Sequence, residues 1–263
     1  MTDTNAILAL ARKQLQYPLP AASAVNLTTD HVYATDASAC KSFDLYLPAS
    51  SRPPAGFPVV VHVNGYPFPP EFRKIWMPTV SWARLLAANG IASVIYDCSD
   101  PQEDKLTLLS ALLEKANELA IDPESVALMA CSGHGPTALR LLVESGSACS
   151  CAVLNYPFLL DLDGDDAVAK AASQFGFADA SHGIKIDDLP DGLSLMIVRA
   201  GRDAFAGLNE GIEKFSSACA DTGVRVQVLE NAQAAHGFDM DDDSQATREI
   251  IRQILDYFRG CLL

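Results

Sequence analysis

Short apolar runs alternate with longer amphipathic segments along most of the chain. The runs are rich in Val and Ile and continuously apolar, which is typical of strands buried on both faces of a parallel sheet. They lie at residues 57–63, 91–96, 126–130, 151–155, 195–198 and 224–229. Helical segments are expected at residues 79–88, 105–120, 136–145, 209–222 and 244–258. This alternation predicts βαβ units, and hence a mainly parallel sheet with helices on both faces.

Three other segments complete the predicted fold. Residues 24–32 and 43–47 alternate between apolar and polar positions, which predicts two half-exposed strands at a sheet edge and brings the sheet to about eight strands. A helix is expected at residues 6–16, within an N-terminal extension of residues 1–20. Residues 161–192 are acidic, interrupted by glycines and long for a connection, so we expect a small cap there. Nothing divides the chain, and a single α/β domain over residues 1–263 is expected.

Composition narrows the class of protein. The chain has 263 residues, 49% of them hydrophobic, and its 33 acidic against 19 basic side chains give a formal charge of −14. This charge repels phosphate backbones and anionic lipid, so we expect neither nucleic acid nor a membrane as partner. The start of the chain lacks the order of a signal peptide, and the seven cysteines lack paired CxxC spacing. A cytoplasmic protein with reduced thiols is therefore expected.

Two segments are similar to cofactor motifs, but each lacks a residue that its motif needs. Residues 161–172 are rich in Asp, as calcium loops are, yet the glycine is misplaced and the twelfth position is Ala172. Residues 133–138 fit G-x-G-x-x-A, yet Asn155 stands where an acid would hold a ribose. We expect no metal and no cofactor.

A serine stands at the corner between a predicted strand and the helix that follows it. The strand runs into Ser132, and Pro136 fits the first turn of the helix. A nucleophile at such a corner needs small neighbours two residues before and two or three after it, because the two backbones nearly touch. Ala130, His134 and Gly135 occupy those positions, a departure from G-x-S-x-G. The alternative is that Ser132 only caps the helix.

Two later residues stand in the chain order that a Ser-Asp-His triad requires. Asp203 follows the predicted strand at residues 195–198, and His236 follows the one at residues 224–229. The carboxyl ends of parallel strands share one edge, so all three side chains are expected there. His236 would take the proton of Ser132 during attack on a carbonyl carbon, and Asp203 would orient the imidazole.

Such a site also needs two backbone amides that stabilise the developing oxyanion. We expect one at Gly133 and the other at Gly65 or Tyr66, in the loop after the strand at residues 57–63. Side chains from loops at the same edge are expected to line an apolar pocket: Asn64, Phe68, Trp76, His134, Tyr156, Phe158, Phe205 and Phe238. Such a pocket suits small or medium uncharged esters, so the expected partner is a small-molecule ester.

Several segments carry a resemblance to one family. They are the run Asp-Leu-Tyr-Leu-Pro at residues 44–48 and residues 59–66, 121–128, 201–203, 209–211 and 235–238. From about residue 43 to its end, the chain resembles the α/β-hydrolases of the small carboxylesterase and dienelactone-hydrolase-like group. The resemblance implies the α/β-hydrolase fold and ester hydrolysis by a triad. The chain departs from the family at Asn64, where similar enzymes commonly have His, and at His134, which replaces a glycine.

The neighbouring Cys131 is an alternative nucleophile, because dienelactone hydrolases use cysteine at this corner. With Cys131 as nucleophile, the bulky Met129 would stand two residues before it, whereas Ser132 has the small Ala130 there. The sequence therefore favours a serine carboxylester hydrolase. A cysteine-dependent lactone hydrolase and a non-catalytic ligand-binding protein on the same fold are the alternatives. A homo-oligomer is compatible with the sequence.

Overall fold

The computed structural model describes residues 4–35 and 40–263. Residues 1–3 of the expected N-terminal extension lie outside the described residues. The strands are β1 (Val25–Thr35), β2 (Cys40–Pro48), β3 (Phe57–His62), β4 (Ala92–Tyr96), β5 (Ile121–Cys131), β6 (Cys151–Asn155), β7 (Ser194–Ala200) and β8 (Arg225–Asn231). The helices are α1 (Thr4–Ala11), α2 (Pro70–Ile75), α3 (Met77–Ala88), α4 (Pro101–Glu114), α5 (Gly135–Ser145), α6 (Ala167–Phe175), α7 (Leu208–Cys219), α8 (Phe238–Asp241) and α9 (Gln245–Leu262).

The strands form one sheet in the order β1-β2-β4-β3-β5-β6-β7-β8. The pairs β1 with β2 and β2 with β4 are antiparallel, and the other pairs are parallel. Every residue of β3, β4 and β6 is buried, because their Val- and Ile-rich runs are covered on both faces. The predicted eight-stranded, mainly parallel sheet with helices around it is confirmed.

The longest helix shows how the sequence sets an element. α9 begins after Ser244, whose hydroxyl accepts a hydrogen bond from the Thr247 amide at 3.2 Å. Its apolar residues recur at helical spacing, and Ile251 and Phe258 are completely buried. Within the part of the chain that the structure describes, no helix is both long and apolar enough to cross a membrane.

Some boundaries differ from those predicted. The first helix ends at Ala11 rather than at residue 16, and the chain continues past it as irregular structure. α4 begins at Pro101 because Asp100 caps it, accepting a hydrogen bond from the Gln102 amide at 2.9 Å. The pattern analysis did not predict α2, α6 or α8, which are short and lie in segments interpreted as loops.

A buried guanidinium fixes α2 to the antiparallel side of the sheet. Arg73 is 2% exposed and pairs with Asp44 of β2, with Asp30 of β1 at 2.9 Å, and with Asp97 at 3.4 Å. Ser42 Oγ also accepts a hydrogen bond from Arg73, at 3.0 Å. Buried charges need partners, and here three carboxylates share one cation. These contacts hold α2 through its last turn, and with it the loop that joins β3 to α2.

Candidate active site

Ser132 lies at the sharp corner between β5 and α5. β5 ends at Cys131, a 3₁₀ turn follows, and the φ angle of Ser132 is +52°. A non-glycine residue in this left-handed region is strained, and such strain is common where a side chain must project from a turn. Gly135 is needed three residues later, because a Cβ there would overlap the carbonyl oxygen of Phe158. His134 occupies the position two residues after the serine, where the motif has a glycine.

A continuous hydrogen-bond chain joins the three predicted triad residues. His236 Nε2 lies 2.8 Å from Ser132 Oγ, and His236 Nδ1 lies 2.6 Å from Asp203 Oδ2. Asp203 follows β7 and has no exposed side-chain surface, whereas the imidazole of His236, which follows β8, is 23% exposed. The carboxylate accepts the Nδ1 proton, so the Nε2 lone pair is available to the serine hydroxyl.

Aromatic side chains flank the imidazole of His236. The rings of Tyr156 and Phe205 each lie 4.6 Å from it, centroid to centroid. Tyr156 follows β6 with a φ of +39°, and its hydroxyl donates to Asp239 Oδ1 at 2.7 Å. Trp82 Nε1 donates to the other oxygen of Asp239 at 2.9 Å. This network fixes Tyr156 beside the histidine.

Asp239 is a buried acid in α8 that sequence reasoning did not identify. An acid in a predicted loop is ordinarily solvated, so no local signal distinguishes it. Burial raises its pKa, against the opposing effect of the hydrogen bonds from Tyr156 and Trp82. The backbone N–H of Gln16 also donates to the Asp239 carbonyl oxygen at 2.8 Å, so the N-terminal extension packs on this turn.

The loop after β3 is tied to the corner by His134. The Gly65 amide donates to His134 Nδ1 at 2.7 Å, and the Gly65 carbonyl accepts from the Ala178 amide at 2.7 Å. Gly65 was expected as an oxyanion donor, but its N–H is engaged by the imidazole. Over the described residues, the amides of Tyr66 and Gly133 have no protein acceptor.

Phe177 covers the corner from the segment predicted as a cap. A Cβ on Gly133 would overlap both the Phe177 ring and the Tyr66 hydroxyl. The Phe177 ring also lies 5.9 Å from Tyr66 and 5.3 Å from Phe158, centroid to centroid. Sequence reasoning missed this residue, although two aromatic residues around Gly176 in the predicted cap were an available signal.

The remaining predicted pocket residues lie in different places. Asn64 is buried and its side-chain amide donates to the Tyr96 carbonyl of β4 at 2.8 Å, so it is turned toward the sheet. The ring partners of Phe68 and Trp76 are each other and Phe72, which places them in the packing around α2. Phe158 packs against Phe177 and Phe205, and Phe238 lies 6.1 Å from Tyr156.

The surroundings of the alternative nucleophile, Cys131, disfavour the thiolate form. Burial raises the pKa of its thiol to about 12, and the charge of Asp239 adds to this effect. The thiol is therefore protonated at neutral pH, and the hydrogen bond of His236 goes to Ser132. In residues 4–35 and 40–263, no group of three or more His, Cys, Asp or Glu side chains could hold a metal ion.

Comparison with known proteins gives structural likeness without close sequence similarity. No family model and no curated protein matches the chain. The thermophilic carboxylesterase EstE1, cloned from a metagenomic library, superposes with a TM-score of 0.70 at 19% identity, covering 98% of this chain and 93% of that one. Carboxyl esterase 2 from the mycorrhizal fungus Tuber melanosporum has a TM-score of 0.68 at 17% identity, covering 100% and 99%.

A third similar structure is the esterase LipW from Mycobacterium marinum, with a TM-score of 0.69 at 16% identity and coverage of 98% of this chain and 86% of that chain. At such identities, the likeness concerns the fold. The strand order, the strained serine after β5 and these superpositions all indicate the same fold. The chain has the α/β-hydrolase fold.

Proposed function

We propose that the protein is a carboxylic ester hydrolase in which Ser132 is the nucleophile, His236 the general base and Asp203 the residue that orients it. The observation that carries the proposal is the chain of two hydrogen bonds, 2.8 Å and 2.6 Å long, from the serine through the imidazole to a buried carboxylate. The similar solved structures include carboxylesterases, which supports the same chemistry.

The first half of the reaction transfers the acyl group to the enzyme. Ser132 Oγ attacks the carbonyl carbon of the ester while its proton moves to His236 Nε2. Asp203, acting on Nδ1, stabilises the imidazolium that forms. The tetrahedral intermediate collapses when the bond to the alcohol oxygen breaks, and Nε2 gives its proton to the departing alcohol.

The second half returns the enzyme to its starting state. Water attacks the acyl-enzyme as its proton passes to His236 Nε2, and the acid leaves as Ser132 regains a proton. In both halves the negative charge collects on the former carbonyl oxygen. Backbone amides near the corner stabilise that charge, an effect worth about 3–4 kcal/mol per donor.

We propose small or medium uncharged esters as substrates. Tyr156 and Phe205 beside His236, together with Tyr66 and Phe177 beside Gly133, give apolar walls on both sides of the serine. The formal charge of −14 disfavours polyanionic substrates. All seven cysteines are free thiols, which supports a reducing compartment such as the cytoplasm.

The test is labelling with a fluorophosphonate followed by peptide mapping, alongside hydrolysis of a short p-nitrophenyl ester. We expect the label on Ser132, and we expect Ser132→Ala to lower kcat by at least about 10⁴-fold. Cys131→Ala is the matched control, because its thiol neighbours the serine and should not affect the rate. A label on residue 131 would support the cysteine-dependent lactone hydrolase. A folded protein that takes no label would be a ligand-binding protein.

A further inference from the structure

His134 occupies the position at which the nucleophile motif has a glycine, and the triad does not use it. Its Nδ1 accepts the Gly65 amide proton at 2.7 Å, and its ring lies 5.1 Å from the Tyr66 ring, centroid to centroid. The side chain therefore joins the corner after β5 to the loop after β3. This bond joins two segments of chain that are 69 residues apart.

Gly65 is fixed by two hydrogen bonds and one close backbone contact. Its N–H is bound by His134, its carbonyl oxygen is bound by the Ala178 amide, and a Cβ would overlap the carbonyl oxygen of Gly133. The loop thus rests directly on the corner that carries the serine. Its backbone is fixed from the corner and from the segment predicted as a cap, so the next peptide unit is fixed as well.

The other amides of this loop are already engaged, with one exception. The Asn64 amide donates to the Tyr96 hydroxyl at 3.1 Å, and the Phe68 amide donates to the Cys98 carbonyl at 2.6 Å. Pro67 has no N–H. Among residues 64–68, the amide of Tyr66 alone has no protein acceptor.

The hydrogen bond also sets the tautomer and the charge of the His134 imidazole. An acceptor at Nδ1 requires a neutral ring with its proton on Nε2. Burial lowers the pKa of His134 to about 4, which keeps the ring neutral at neutral pH. The bond to Gly65 is therefore present at neutral pH.

We propose that His134 is a positioning residue for the oxyanion hole: it holds the Gly65 amide, so that the amides of Tyr66 and Gly133 bind the carbonyl oxygen of the substrate. This inference rests on the proposed function. It assigns a task to the residue that departs from the motif. Of the two donors expected in this loop, Gly65 and Tyr66, it assigns the role to Tyr66.

The test compares three substitutions of His134. Asn places a carbonyl oxygen near the position of Nδ1, Gln places one a bond further away, and Ala places none. We expect His134→Ala to lower kcat by about 10- to 100-fold with little change in KM, because oxyanion contacts strengthen in the transition state. His134→Asn should recover most of kcat, and His134→Gln should recover less.

Two outcomes would overturn the inference. A higher kcat in His134→Ala would mean that the imidazole obstructs Gly65 as the donor. Equal losses in the Ala, Asn and Gln variants, all shown to be folded by thermal melting, would mean that the ring acts only by filling space.

A measurement independent of activity separates this inference from the proposed function. Nitrogen NMR of the protein labelled with ¹⁵N-histidine should show His134 as the Nε2–H tautomer down to about pH 5. The opposite tautomer would disprove the hydrogen bond even in an active enzyme. Absence of both ester hydrolysis and fluorophosphonate labelling in the wild type would instead refute the proposed function, and the positioning role with it.

Discussion

Two buried carboxylates lie near His236, and their hydrogen bonds give them different tasks. Asp203 contacts the imidazole at Nδ1, whereas Asp239 accepts hydrogen bonds from Tyr156 and Trp82. Asp239 holds Tyr156, whose ring lies beside the histidine. At the residue scale, the geometry therefore separates an acid that orients the base from one that supports the wall beside it.

Substitution of each acid by its amide distinguishes these tasks. Asp203→Asn should lower kcat by about 10⁴-fold, because the amide no longer selects the tautomer in which Nε2 accepts a proton. Asp239→Asn should keep most of kcat but lower the free energy of unfolding by about 1–3 kcal/mol, since the amide has one acceptor oxygen where the carboxylate uses two. Ester hydrolysis and urea unfolding measure both quantities. The reverse pattern would assign the orienting role to Asp239.

At the element scale, the position of the loop after β3 depends on α2. This helix has six residues, too few to be stable alone, and Arg73 holds it to β1 and β2 through buried carboxylates. The neighbouring Lys74 is exposed and lies 3.5 Å from Asp30. Adjacent positions in one helix therefore carry a structural cation and a solvated one.

These neighbours provide a matched pair of variants. Arg73→Met should lower the free energy of unfolding by about 3–5 kcal/mol, because it leaves Asp44 and Asp97 buried without a cation. Lys74→Met should change it by less than about 1 kcal/mol. Urea unfolding of both variants measures the difference. Similar small changes in both would show that α2 does not depend on the buried cluster.

At the scale of the whole molecule, a histidine buried in the covered sheet makes stability fall in acid. His62 at the end of β3 is buried, its Nε2 lies 2.8 Å from Ser93 Oγ, and burial lowers its pKa to about 3. In the unfolded chain a histidine titrates near 6.5. As the pH falls from 6.5 toward 3, the unfolded state takes up a proton that the folded state does not, so stability falls over this range.

His62→Gln removes the group that titrates while keeping a hydrogen-bonding atom near Ser93. Relative to this variant, the wild type should lose about 2 kcal/mol of unfolding free energy between pH 7 and pH 5. Urea unfolding at the two pH values gives the difference. Parallel losses in both proteins would place the acid sensitivity elsewhere in the fold.

The sequence specified the elements whose signal is local. Val- and Ile-rich runs identified the buried strands among β3 to β7, whereas the run at residues 224–229 forms β8, a largely exposed strand at the sheet edge. The rule that parallel strands end at one edge predicted that Ser132, Asp203 and His236 lie together. Short helices such as α2 and α8 carry too few residues for a periodic pattern, and β5 begins earlier than its apolar run because Ile121 pairs with Phe57.

The parts of the site that escaped prediction depend on contacts between distant segments. Asn64 is turned to β4 by the Tyr96 carbonyl, Gly65 is engaged by His134, and Phe177 reaches Gly133 from another segment. No pattern within one segment encodes such pairings. Local sequence therefore predicted which residues meet at the edge, and tertiary packing decided what each of them touches.

The order of the elements along the chain also governs how the molecule is made. Ser132 precedes His236 by 104 residues, His236 follows β8, and α9 then covers the sheet. During translation the serine leaves the ribosome long before its histidine, and the apolar face that α9 covers stays open until that helix emerges. On the proposed mechanism, a nascent chain cannot attack an ester until His236 has emerged and packed against the serine.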